Sequence, residues 1–118
     1  MRTLILILFL GYSFSLYSQE EPRIQSIKNQ LELLSVDNAG LTETLKLEIN
    51  VSNVSLSNFL IGISKVHHIN MNVDPALSDI AIVNNFSSVT IADLLVFLAK
   101  KYQLHIDFTG NILSVSKY

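Results

Sequence analysis

The stretch from Asn53 to Asp74, NVSLSNFLIGISKVHHINMNVD, is written a second time 35 positions later as SVTIADLLVFLAKKYQLHIDF, from Ser88 to Phe108. At that offset Asn50, Ser52, Val54, Leu60 and Lys65 meet identical residues at Asn85, Ser87, Val89, Leu95 and Lys100. Chemically matched pairs extend the likeness: Ser55 with Thr90, Leu56 with Ile91, Asn58 with Asp93, Ile63 with Leu98, Ile69 with Leu104, Met71 with Ile106. Each copy reads the same way. An alternating apolar–polar segment (LEINV in the first copy) predicts a half-buried strand. Ser55 and Thr90 then offer a side-chain oxygen to the first free amides of a helix. Leu56, Phe59, Leu60 and Ile63 trace one helical face, as do Ile91, Leu94, Leu95 and Leu98. A second alternating segment follows each helix, INMNVD and LHIDF. The first copy stops at the turn signal Asp74-Pro75. The second stops at Gly110-Asn111, after which ILSVS returns as the partner strand of a hairpin.

The unit is therefore strand–helix–strand, present twice. A solenoid needs at least three units to bury a continuous core. Two units can instead pair, each covering the apolar helix face that the other cannot cover alone. The predicted fold is α+β: duplicated βαβ units, two helices against small sheets, and a closing C-terminal hairpin. Its shared core is predicted to hold Leu56, Phe59, Leu60, Ile63, Leu94, Leu95 and Leu98. Burying about eight such side chains, at roughly 1.5–3 kcal/mol each before entropy, suffices for a small domain.

Ahead of the repeat, PRIQSIKNQLELLSV (Pro22 to Val36) sets Ile24, Ile27, Leu31 and Leu34 on one helical stripe, with Pro22 in the first turn. Two heptads are too few for a coiled coil, so the stripe is expected to pack on its own domain. DNAG, residues 37–40, is the stop signal, Asn38 and Gly40 being residues that tolerate the left-handed conformation at helix ends. The first 18 residues, MRTLILILFLGYSFSLYS, have the layout of a signal peptide: a charged start, an apolar run from Leu4 to Leu10, then small residues. The expected organisation is a signal peptide at 1–18, an amphipathic helix and linker at 19–44, and the duplicated domain at 45–118.

The chain has no Cys, which excludes a thiol-linked lipid anchor and any disulfide. Removing Arg2 with the leader leaves seven Lys and Arg against ten Asp and Glu, a net charge of −3. That balance gives no footprint for nucleic acid and disfavours an anionic membrane surface. A protein partner is the expectation.

INVSNVSLSNFLIGISKVHHINMNVDP resembles the short N-terminal domain shared by secretins and TonB-dependent transducers. That pattern runs from an alternating strand through Asn/Asp-Val/Ala-Ser/Pro-Leu into a helix, and ends in a strand with Asp-Pro. Asn53, Val54, Ser55, Leu56, Leu60, Ile63, Ser64 and Asp74 sit at matching places. NNFSSVTIADLLVFLAKKYQLHIDFTGNILSVS matches the second half, so the similarity spans about Leu45 to Ser116. Asn58 stands where the family has an acid, and His68 and Gln103 stand where it has the glycine that closes each helix. The resemblance implies a periplasmic docking module that does not catalyse. In secretins the domain precedes ring-forming modules and an outer-membrane pore; in transducers it precedes a plug and barrel and contacts an inner-membrane regulator. The leading helix is more like the secretin type. Self-association is expected to be weak unless many copies are tethered together.

No constellation of residues argues for chemistry. His67, His68 and His105 are the only histidines. Adjacent residues on a helix point about 100° apart, so His67 and His68 cannot share a metal while the helix continues. Solvent-facing positions at a helix end are expected for them. Asp74, Asp79, Asp93 and Asp107 are scattered over turns, a cap and a strand. Nothing resembles a paired-carboxylate site, a phosphate loop or a nucleophile elbow, and no GxxG loop supports a KH-type RNA binder. No catalytic, cofactor-binding or metal-binding residue is assigned, and no small-molecule substrate is expected.

Overall fold

The computed structural model describes residues 21–44 and 49–118. The predicted signal peptide at 1–18, and residues 45–48 at the start of the first predicted strand, lie outside them. The helices of the two repeats are α2, Leu56–Val66, and α3, Ile91–Lys101, displaced by the 35 residues of the sequence repeat at both ends. Their capping is duplicated too. The Asn58 amide donates to Ser55 Oγ at 3.2 Å, and the Asp93 amide to Thr90 Oγ1 at 3.2 Å. Beyond the C-terminal ends, His68 and Gln103 both hold φ at 55°. This is the left-handed region, where glycine is at no steric disadvantage and other residues are strained by about 1 kcal/mol or more. His68→Gly and Gln103→Gly are each expected to raise stability by about 0.5–1 kcal/mol in urea titrations, relief of strain exceeding the added chain entropy. Destabilisation in both would show that these side chains make contacts worth more than the strain.

The strands of each unit part company. β1 (Ile49–Ser55) pairs antiparallel with β3 (Ala81–Phe86), from Ile49 opposite Phe86 to Ser55 opposite Ala81, with a shift in register between Ser52 and Val54. β2 (Asn70–Val73) runs parallel to β5 (Ile112–Lys117), which pairs antiparallel with β4 (Leu104–Thr109). The result is a two-stranded sheet, β1-β3, and a three-stranded sheet, β2-β5-β4. The two units are thus interleaved: first strands pair with each other, and second strands share β5. The closing hairpin turns at Gly110, φ 60°, between the paired residues Thr109 and Ile112.

The predicted core residues Leu56, Phe59, Leu60, Ile63, Leu94, Leu95 and Leu98 are all buried, in one cluster with Ile82, Ile106, Leu113 and Val115. The cluster also takes in Ile24, Ile27 and Leu31 from the leading helix, α1 (Pro22–Ser35), which packs on α3 and β4. Leu34 is partly buried against it. The apolar stripe of α1 is therefore consumed within the molecule.

Two short 3-10 turns complete a symmetry that the 35-residue register does not contain. Ala39–Thr42 precedes the first unit and Pro75–Asp79 precedes the second. Asn38 accepts a hydrogen bond from the Gly40 amide at 3.1 Å, and Asp74 from the Ala76 amide at 3.0 Å. Each turn plants one leucine, Leu41 or Leu77, that is fully buried. The Ile91 amide at the start of α3 donates to the Glu43 carbonyl at 3.0 Å, and the Leu56 amide at the start of α2 donates to the Ile80 carbonyl at 2.8 Å. Each turn therefore serves the helix of the other unit, satisfying an amide that has no partner within its own helix.

The stop after α1 works differently from the expectation. Asn38 is extended, φ −130° and ψ 94°, and Gly40 is not left-handed. The amides of Asp37 and Asn38 instead close on the Leu34 carbonyl at 3.1 and 3.0 Å. Gly40 is required for space: a Cβ there would stand 2.0 Å from the carbonyl oxygen of His67.

Candidate docking surface

The polar residues singled out in the sequence mostly serve the fold. Asp74 caps the second 3-10 turn, Asp79 ends it, and Asp93 stands in the first turn of α3. His105 and Asp107, two apart on one face of β4, approach at 3.3 Å with both side chains exposed. His67 corrects the expectation of a solvent-facing residue. It is only 3% exposed, because the first 3-10 turn lies across the end of α2. Its Nδ1 is 3.2 Å from Glu43 Oε1. His68, the next residue, remains exposed. Both line a polar groove of about 360 Å³ with Asp37, Asn38, Glu43 and Asn70. Among the described residues no group of three or more His, Asp or Glu side chains is arranged to hold a metal ion.

Arg23 has a role that the sequence did not suggest. It lies in the first turn of α1, where a lone arginine reads as surface. Its side chain is only 7% exposed. Nη1 donates to the carbonyls of Leu104 and, at 3.4 Å, Ala99. The guanidinium lies 4.4 Å from the ring centroid of Tyr118, and Nε meets Glu21 at 3.2 Å. One side chain thus ties α1 to the end of α3, the start of β4 and the last residue described. Arg23→Met should keep the aliphatic packing but orphan those carbonyls and lose the cation–π contact. About 2 kcal/mol of destabilisation is expected in urea unfolding. An unchanged midpoint would show that water replaces the guanidinium at no cost.

Unpaired strand backbone and several apolar side chains are also open on the surface. Among the described residues β1 pairs with β3 alone, so each carries one free edge; β2 and β4 are the outer strands of the second sheet. Val83 on β3 is 61% exposed and Val54 on β1 is 38% exposed. Phe97 on α3, 41% exposed, meets Phe86 edge-on at 5.7 Å, and Phe86 stacks on Phe59 at 5.8 Å. These aromatics run from the core to the surface beside the two-stranded sheet. Unpaired strand edges flanked by exposed apolar groups can accept an added strand through main-chain hydrogen bonds.

No family model matches this chain, and no curated protein matches it.

Proposed function

We propose that this chain is a periplasmic protein-docking domain of a secretin-like outer-membrane machine, and that it is not an enzyme. The observation that carries the reading is the pair of small, interleaved sheets with open edges beside exposed Val83 and Phe97. The resemblance of the repeat to the secretin and transducer domain, the signal-like leader and the acidic balance support it. Within the reading, an added strand from a partner extends the β1-β3 sheet while neighbouring helix surface sets specificity.

Isolated copies should associate weakly. A domain this small offers about 500–800 Å² to each neighbour, at or below the size of a standard interface. The net charge of −3 left without the leader adds mild repulsion between copies. The stripe of α1, the obvious means of pairing, is already buried through Ile24, Ile27 and Leu31. Tethering around a ring raises effective concentration toward millimolar, where weak contacts suffice. Sedimentation of residues 19–118 at about 10 μM should therefore give a monomer; a stable ring or dimer there would contradict the tethering account. Gene neighbourhood tests the assignment itself. Pilus or secretion genes alongside are the expected result, whereas an anti-sigma regulator alongside would assign the domain to a TonB-dependent transducer instead.

A further inference from the structure

The polar groove at the end of α2 holds a group that the fold leaves unfinished. The His67 side chain is 2% exposed, yet its one protein partner is Glu43, whose Oε1 lies 3.2 Å from Nδ1. An ionised carboxylate only accepts, so the neutral imidazole carries its proton on Nδ1 and keeps a lone pair on Nε2. Among the described residues no side-chain nitrogen or oxygen is both wholly buried and without a partner. The small accessible part of the ring therefore includes Nε2, and His67 lines the groove of about 360 Å³.

The rest of the lining adds acceptors and no cation. Glu43 turns Oε1 to His67, and its side chain is still 39% exposed. Asp37 lines the same groove, His68 is its one other ionisable side chain, and no Lys or Arg lines it. Two carboxylates in one concavity, with a buried lone pair beside them, favour a cationic donor.

We propose that this groove receives an arginine side chain of a protein partner, held by the Glu43 and Asp37 carboxylates and donating to His67 Nε2. Arginine is the match because a guanidinium has five N–H donors in a rigid fork and no acceptor. An ammonium offers a compact point charge that is more strongly hydrated. Free arginine fits less well, since its own carboxylate would enter a groove that has two and no cation to meet it. A bare metal ion lacks three groups arranged to hold it. The inference deepens the docking reading above and rests on it only in taking the arginine to belong to a protein.

The test is an NMR titration of the ¹⁵N-labelled chain with Nα-acetyl-arginine N-methylamide at neutral pH and constant, low ionic strength. A single side chain in a half-open site binds weakly, so a dissociation constant on the order of 1–10 mM is expected. Saturable shifts should appear at the Gly40 and Asn70 amides and at His67 Nε2, the atom that gains a donor. Glu43→Gln keeps an acceptor for Nδ1 and the backbone carbonyl that receives the Ile91 amide. It should fold as the parent does and bind at least fivefold more weakly, and Asp37→Asn should weaken binding in the same direction. Asp79→Asn, outside the groove, should bind as the parent does. The citrulline analogue, of the same shape without the charge, should leave the spectrum unchanged. Four results would overturn the proposal: no saturable shift up to about 50 mM probe, equal binding of the citrulline analogue, tighter binding of free arginine than of the blocked probe, or unchanged affinity in both groove variants. The probe engages neither sheet edge nor any cellular partner, so failure of the groove and failure of the docking reading are separately visible.

Discussion

Gly40→Ala should destabilise the domain by about 3 kcal/mol, while Gly62→Ala should stabilise it by up to about 1 kcal/mol. The contrast follows from what each added methyl meets. At Gly40 a Cβ would stand 2.0 Å from the backbone carbonyl of His67, and backbone cannot rotate away as a side chain can. The first 3-10 turn would have to lift from the end of α2. That movement would pull on Leu41, fully buried, and on the Glu43 carbonyl that accepts the Ile91 amide. It would also part Glu43 from His67. At Gly62 the methyl meets nothing and replaces a flexible residue with the best helix former. Urea unfolding of the three proteins under one condition decides it. Equal midpoints for Gly40→Ala and the parent would mean that the turn does not pack on α2 as described.

Leu60→Ala and Leu95→Ala should each cost about 2–5 kcal/mol, the range for deleting a buried leucine side chain without full collapse of the cavity. The two occupy the same place in the two units and are 0% and 1% exposed. The larger consequence concerns cooperativity. Because β1 pairs with β3 and β5 joins β2 to β4, neither unit has a sheet of its own. Each substitution should therefore lower one shared melting transition, whichever unit carries it. Two transitions, with only one of them moved by Leu60→Ala, would mean that the units fold separately and that the interleaving is wrong.

The helices were legible because their signals are local. Serine or threonine caps followed by apolar residues at helical spacing set Leu56–Val66 and Ile91–Lys101 without reference to distant partners. The leading helix was legible for the same reason, and its stripe reached the shared core. Strand pairing was not legible, since alternation marks a strand but carries no information about its neighbour. The reciprocal 3-10 turns escaped for a more specific reason. Asn38 and Asp74 are 36 apart, and Leu41 and Leu77 likewise, one residue out of the register that aligns the helices. His67 was misread because its burial comes from Gly40 and Glu43, more than 20 residues away in sequence. The sequence context of Gly40 suggests a conformational role, whereas its need is steric, a distinction visible only once the facing carbonyl is known. The resemblance implies a helix-closing glycine where His68 and Gln103 stand, and both adopt the glycine-like conformation without the residue. Arg23 gave no signal, because the carbonyls it holds are of a kind every residue carries, and Tyr118 lies at the far end of the sequence.

The proposed docking on an envelope protein would use the open edge of the two-stranded sheet. Photo-crosslinking in living cells tests it most directly, with a photoreactive amino acid in place of Val83, an exposed position on β3. The account predicts one discrete heavy adduct in the membrane fraction whose second component is an outer-membrane pore-forming protein. An adduct with a cytosolic protein, an adduct of the chain with itself alone, or no adduct while a control position on α1 reacts would contradict it.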